Sequence, residues 1–321
     1  MKKVLITYNI FADLYRGILK DFDITMPPDG VQSFTYDEAL SIIDEYDALH
    51  SMWNFPVDRR LLSSGKRLKI VSNFAVGYDN IDVAAATELG ICIANTPDPV
   101  TEPTADVAMG LMIDVMRRIT DFDKKQRTGK YVKGIMDNLG TSLWGKQLGI
   151  VGMGRIGSSL ARRAKSSGMS VAYTNRNRLM PKAEIALGVT YMPLDELLRT
   201  SDVISLNAPL TSQTHHIINS ETLAMMKPTA YLINTARGPL VDEKALTEAL
   251  REQRIAGAGL DVYEFNDTVT AELLTLPNTV LVPHIGTQTA ECRAEMATFA
   301  AENIRNFFFG GRVAQVNKKI R

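Results

Sequence analysis

Short apolar runs alternate with amphipathic stretches along most of the chain. KVLITY, DALHSM, LKIVSN and ICIANT are runs of strand length, and the intervening TYDEALSIIDEY and NIDVAAATELG carry their apolar residues at helical spacing. Beyond residue 140 the alternation resumes with LGIV, SVAYT, DVISLNAPL, AYLINTAR, IAGAGLDVY and TVLVPHIG. Each of the later runs ends in small or polar residues, as parallel strands do where they reach a ligand crevice. Strand and helix in regular alternation predict parallel sheets with helices on their faces, an α/β fold.

A proline-rich turn, NTPDPVTEP, interrupts the pattern at Pro97, Pro99 and Pro103. A long helix is expected beyond it, from near Thr101 past Arg118. That helix, TADVAMGLMIDVMRRI, is apolar over much of its circumference and so should be buried, with a second copy of the chain as the expected cover and a homodimer as the result. A last helix, from about Thr289 to Phe308, is long enough to return to the first domain. The expected division is therefore 1–99 with 289–321 and 100–288. The first of these is flavodoxin-like and has no phosphate-type glycine loop, which leaves it to hold the substrate.

Composition narrows the classes. A chain of 321 residues suits two domains better than one core, and 36 basic against 36 acidic residues point to neither nucleic acid nor an anionic membrane. The apolar run in MKKVLITYNI is too short for a signal peptide, and no run approaches the roughly 18 residues of a membrane span. Cys92 and Cys292 are isolated, without metal-ligand spacing, so no metal site is expected and a reduced, cytoplasmic setting is.

The chemistry is concentrated in QLGIVGMGRIGSSLARRAKSSGMSVAYTNRNR, residues 147–178. Gly152, Gly154 and Gly157 follow a strand at G-x-G-x-x-G spacing. Arg155 and Ile156 open a helix expected from about Ile156 to Ser167, with Gly168 as its cap. A tight turn, a close backbone approach and close helix–strand packing each need one of those glycines, and the helix N-terminus offers N–H groups to a pyrophosphate, so a dinucleotide site is expected. At the end of the second strand an NAD-specific fold has an acid. This chain has Asn175-Arg176-Asn177-Arg178 instead, a neutral amide beside two guanidinium groups. These residues suit the 2′-phosphate of NADP(H), with NAD(H) as the lesser alternative and a solvated basic turn as the bland one.

Ala208-Pro209, Thr235-Ala236-Arg237, Asp261 and His284 stand at strand ends and should gather round the cofactor. Arg237 is suited to gripping a substrate carboxylate and polarising the neighbouring carbonyl, or else to a structural ion pair. Of four histidines, His50 lies in a strand of the first domain, and His215 and His216 are adjacent in a polar loop. His284, after Pro283, is the one placed to act as general acid and base, unless it is simply a core residue.

These motifs taken in order, NFAVGYDNID, NTPDPVTEPTADVAMGL, the glycine turn, NTARGPLVDEKAL, AGLDVYEF and LVPHIG, resemble those of the D-isomer-specific 2-hydroxyacid dehydrogenases over nearly the full length. The resemblance implies two Rossmann-like parallel-sheet domains and reversible reduction of a small 2-keto acid to the D-2-hydroxy acid. It implies that backbone around Val76 and Gly77 receives the substrate carboxylate, with Arg237 assisting. Thr104 would border the nicotinamide, Asp261 bond its carboxamide and His284 exchange the proton, and Thr214 and Gly286 complete the cofactor set. Met52, Trp53 and Phe55 fall where the wall of the substrate pocket is expected, though three bulky residues serve equally to pack under the next helix. The NRNR segment is most like that of the NADPH-preferring glyoxylate and hydroxypyruvate reductases.

One position departs from the pattern. Where the family has a glutamate paired with the histidine, this chain has Asn266, followed by Asp267. An amide can accept from the ring N–H but supplies no charge, and Asp267 or Glu264 is the candidate substitute. A non-catalytic dinucleotide-binding sensor or scaffold, or a formate- or phosphite-type dehydrogenase of the same fold, are the alternatives this leaves. Retention of Arg237 and His284 favours the enzyme.

Overall fold

The strands and helices read from the sequence fold into two separate parallel sheets. The computed structural model describes residues 1–131, 134, 136–265 and 268–317 and separates into two units, 1–100 with 289–321 and 101–288. Asn266 and Asp267 lie outside the described residues.

The first unit runs β1 (Lys2–Ile6), α1 (Ala12–Ile18), β2 (Phe22–Thr25), α2 (Tyr36–Ile42), β3 (Ala48–Met52), α3 (Arg59–Ser64), β4 (Ile70–Phe74), α4 (Val83–Glu88) and β5 (Cys92–Ala94). Its five strands are parallel in the order β2-β1-β3-β4-β5, the order of flavodoxin-like sheets. Every residue of β4 is buried, as its apolar run requires. The helices start where side-chain oxygens satisfy free N–H groups: Thr35 and Glu38 form a reciprocal box at α2, and Asp58 and Asp82 cap α3 and α4. The stretch TYDEALSIIDEY is helical only to Ile42 and tightens into a 3₁₀ turn over Ile43–Glu45.

The second unit opens with α5 (Thr101–Arg117). The expected run past Arg118 does not occur, because Arg118 takes a left-handed conformation, φ 59°, and a new helix, α6 (Ile119–Arg127), starts beyond it. Asp114 fixes the break by accepting from both the N–H and the hydroxyl of Thr120. There follow β6 (Gln147–Val151), α7 (Arg155–Ser166), β7 (Ser170–Thr174), α8 (Pro181–Leu187), β8 (Thr190–Tyr191), α9 (Leu194–Thr200), β9 (Val203–Leu206), α10 (Ser220–Met225), β10 (Tyr231–Asn234), α11 (Glu243–Arg251), β11 (Gly257–Leu260) and β12 (Thr279–Leu281). The seven strands are parallel in the order β12-β11-β10-β9-β6-β7-β8. Counted from β6, this is the doubly wound order 3-2-1-4-5-6 with a seventh strand added, and its switch point lies between β6 and β9. α5 buries Ala105, Ala108, Leu111, Met112, Val115 and Met116, and the sheet makes room for it with small residues. A Cβ on Gly259 of β11 would come within 2.9 Å of that of Leu111.

α12 (Ala290–Phe309) belongs to the first unit, capped by Thr289, whose hydroxyl accepts from the N–H of Cys292. It packs on β4 through residues such as Met296, Ala297 and Ala301, and Ser72 of β4 donates to the carbonyl of Ala300. No helix among the described residues is long and apolar enough to cross a membrane.

Candidate active site

In the second unit the glycine turn sits at the switch point. Gly152 has φ 102°, and a Cβ there would come within 2.6 Å of the Ala208 N–H, so the turn after β6 presses against the chain leaving β9. A Cβ on Gly157 would meet the Gly152 carbonyl at 2.4 Å, which lets α7 start hard against the turn. Gly154, the N-cap of α7, has no atom within 4 Å of where a Cβ would be; only there is the turn open. Arg155 and Ile156 are the first residues of α7, whose N–H groups face that opening. At the ends of the neighbouring strands Asn207 Oδ1 and Thr235 Oγ1 are buried without a hydrogen-bond partner. An open glycine turn at a helix N-terminus, flanked by orphaned buried oxygens, fits a dinucleotide whose polar groups complete them.

The NRNR segment divides its work. Asn175 Oδ1 accepts from the Met153 N–H at 2.6 Å, so this amide shapes the glycine turn itself. Arg178 is spoken for: its guanidinium donates twice to Glu184 at 2.8 Å and lies over the Tyr191 ring. Hydrogen bonds from Arg178 and Tyr173 hold Glu184 down at about 2. Arg176 is exposed and has no ion-pair partner among the described residues. Ala208 and Pro209 begin a turn closed by Thr214, whose hydroxyl donates to the Pro209 carbonyl at 2.7 Å.

Asp261 leaves β11 with its carboxylate buried and accepts from the N–H groups of Ile285 at 2.6 Å and Gly286 at 2.9 Å. Burial pushes its pKa up to about 6, against the lowering by those two N–H groups. The bonds fold the PHIG loop back on β11 and put His284 in a left-handed conformation, φ 54°, with its side chain exposed. A non-glycine residue held there costs on the order of 1–3 kcal/mol, which the Asp261 clamp and the bond from Tyr263 to the Val282 carbonyl offset. Thr104 of α5, buried, donates to the Gly286 carbonyl. Arg237 follows β10 through Thr235 and Ala236. Asn234 accepts from the Ala236 N–H and donates to the Arg237 carbonyl, fixing the turn, and Gly238 is backed against the Tyr263 carbonyl with no room for a Cβ.

Glu264 is engaged elsewhere. One of its oxygens lies 2.6 Å from His216 Nε2 and the other accepts from the Glu243 N–H at 2.9 Å, so each oxygen already has a partner other than His284. This pairing gives His216 a partner that the sequence did not suggest.

In the first unit, three successive carbonyls after β4 are tied inward. Ala75 O accepts from Thr96 N–H at 2.9 Å, Val76 O from the Asn95 amide at 2.7 Å and Gly77 O from the Asn73 amide at 2.9 Å. These peptides are trans, so the N–H groups of Val76, Gly77 and Tyr78 point the opposite way from the carbonyls they follow, and none has a partner among the described residues. Successive N–H groups left without protein partners are suited to a carboxylate. Sequence alone could not assign this job to Asn73 and Asn95. Met52, Trp53 and Phe55 part company: Phe55 is in the core with Val57 and Leu61, Met52 packs on the core beside Phe74, and Trp53 is 42% exposed.

Residues 109–286 match the family model for the D-isomer specific 2-hydroxyacid dehydrogenase, NAD binding domain. A glyoxylate reductase of Thermococcus onnurineus is 44% identical over 310 residues, 95% of this chain and 92% of that protein. The chain belongs to the D-isomer-specific 2-hydroxyacid dehydrogenase family. It is thus an NAD(P)-dependent oxidoreductase. Among solved structures, a glyoxylate reductase from Paecilomyes thermophila has a TM-score of 0.89 at 38% identity, covering 98% of both chains. An NADPH-dependent glyoxylate/hydroxypyruvate reductase from Sinorhizobium meliloti, in complex with NADP and malonate, has a TM-score of 0.86 at 32% identity, covering 98% of this chain and 96% of that one. In this dehydrogenase the residues that would hold the dinucleotide are the open Gly152–Gly157 turn, the start of α7 and the ends of β9 and β10.

Proposed function

We propose that this dehydrogenase reduces a small 2-keto acid of the glyoxylate, hydroxypyruvate or pyruvate type to the D-2-hydroxy acid, with NADPH as the preferred donor. The observation that carries the reading is His284, exposed at the exit of β12 on a left-handed backbone that Asp261 holds in place. The names of the reductases just described point to the same substrate class.

The bound nicotinamide supplies the hydride. The N–H groups of Val76, Gly77 and Tyr78 receive the carboxylate, and Arg237 assists and polarises the keto oxygen. His284 Nε2 or Nδ1 gives its proton to that oxygen as C2 takes up the hydride, so that one keto acid, one NADPH and one proton yield one hydroxy acid and NADP⁺. Thr104 and Asp261 would border the nicotinamide, and Asn266 is the residue that stands in the sequence where the family has the histidine's partner glutamate. Trp53 presents its face to the substrate side chain.

The preference for NADPH rests on Arg176, with Arg178 held by Glu184 and Asn175 shaping the turn. α5 is covered by its own sheet rather than by a second copy, so a homodimer rests instead on the apolar side chains exposed on α6 and in the stretch that follows it, Ile119, Tyr131, Met136, Leu139 and Trp144. Sedimentation as a monomer at micromolar concentration would remove the dimer. The function is tested by absorbance at 340 nm with NADPH and a panel of glyoxylate, hydroxypyruvate, pyruvate and phenylpyruvate. Turnover of the first two ahead of phenylpyruvate is expected, and no consumption of NADPH with any of them would refute the reading.

A further inference from the structure

Arg293 lies in the first turns of α12, half-buried, with its guanidinium 5.1 Å from the centroid of the Trp53 ring and 5.9 Å from that of Phe74. Burial pulls its pKa below the usual arginine value, and no carboxylate of the described residues forms an ion pair with it. The groups behind it are neutral. The Tyr8 hydroxyl is buried and bonded to that of Tyr15 at 2.7 Å, His50 is buried with its pKa lowered to about 3, and burial raises the Cys292 thiol. A partly desolvated cation without a counter-charge is costly to keep unless an anion comes to it. The strand beneath it leads to a place where an anion would come. Phe74, under the guanidinium, precedes Val76 by two residues, and its strand leads directly into the three outward N–H groups.

We propose that Arg293 is a substrate-binding residue: resting on Trp53 and Phe74, it supplies the fixed positive charge that draws the keto-acid carboxylate to the N–H groups of Val76, Gly77 and Tyr78. This rests on the keto-acid reading above and adds to it a charge within the first unit itself. The N–H groups carry partial charges only, and a full charge within about 10 Å at a partly buried site strengthens anion binding by about tenfold. Trp53 gains a role as the platform that holds the guanidinium as well as a face for the substrate side chain.

The test uses the full chain saturated with NADPH. Arg293→Gln should raise the glyoxylate KM by about tenfold while kcat changes by less than about threefold, and Arg293→Lys, which keeps the charge, should stay within about threefold of the parent KM. The Kd of oxamate, an unreactive stand-in for the keto acid, should follow the same order by titration calorimetry. Where Arg293→Gln does not fold, Arg293→Met keeps an apolar stem on Trp53 without the charge and takes its place. A parent that turns over glyoxylate and a neutral variant with the parent's KM and oxamate Kd would overturn the inference alone. A parent that neither reduces glyoxylate nor binds oxamate would remove the keto-acid reading along with it.

Discussion

Replacing Asp261 by Asn separates its charge from its hydrogen bonds. The carboxylate is almost fully buried, with its pKa raised from 3.8 to about 6. A group whose folded pKa is raised in this way binds its proton more tightly in the native state between the two values, so its contribution to stability falls as pH rises from about 4 to about 6. Two pKa units amount to about 3 kcal/mol of that contribution by pH 7. The Asp261→Asn variant carries no such pH dependence but leaves either the Ile285 or the Gly286 N–H facing an amide nitrogen, at a cost of about 1–3 kcal/mol at every pH. The quantity to measure is the difference in Tm between parent and Asp261→Asn at pH 4, 5, 6 and 7. For a unit of this size, about 2–4 °C per kcal/mol, the parent's advantage should shrink by about 6–12 °C from pH 4 to pH 7. Activity should fall at least tenfold, since His284 then loses half of the clamp on its loop. A Tm difference independent of pH, or one that grows toward pH 7, would refute the reasoning.

Arg176→Ala should raise the KM for NADPH by about ten- to a hundredfold, the worth of one charge-assisted bond of about 1.5–3 kcal/mol, and leave that for NADH nearly unchanged. Arg178→Ala should change the ratio of the two by less than about threefold, because Glu184 already occupies that guanidinium; initial rates with both cofactors decide. Asn95→Ala frees the Val76 carbonyl, so the 76–77 peptide is no longer held with its N–H outward. The glyoxylate KM should rise by about five- to tenfold, one hydrogen bond of about 1 kcal/mol, with NADPH binding unaffected by calorimetry. Trp53→Ala should raise the ratio of phenylpyruvate to glyoxylate kcat/KM, since the exposed ring stands where the side chain of the substrate is expected.

Legibility followed the range of the interactions. The glycine turn was readable because its three residues act on their immediate neighbours, and β6, α7 and β7 fall within a residue or two of the expected ends. Parallel strands such as β4 and β9 were readable because burial demands long apolar runs. Two-residue β8 and the half-exposed β2, with Asp23 in it, leave no such run. The end of α5 was missed because nothing in MRRIT announces a left-handed Arg118; the cause is Asp114, reaching forward to Thr120. At the site, residue types at strand ends marked Arg237, Asp261 and His284, but not who holds whom. Arg178 carried the right charge for a phosphate, and only the fold brings Glu184 onto it. Arg293 escaped notice because its partners, Trp53 and Phe74, are more than 200 residues away in sequence and neither carries charge.

The central claim is hydride transfer to C2 of a keto acid with formation of the D isomer. Incubation with hydroxypyruvate and NADPH deuterated at the transferable C4 position, followed by chiral separation and mass analysis of the glycerate, tests it in one measurement. D-glycerate carrying one deuterium at C2 is the expected product. L-glycerate, or NADPH left unconsumed, would contradict the account.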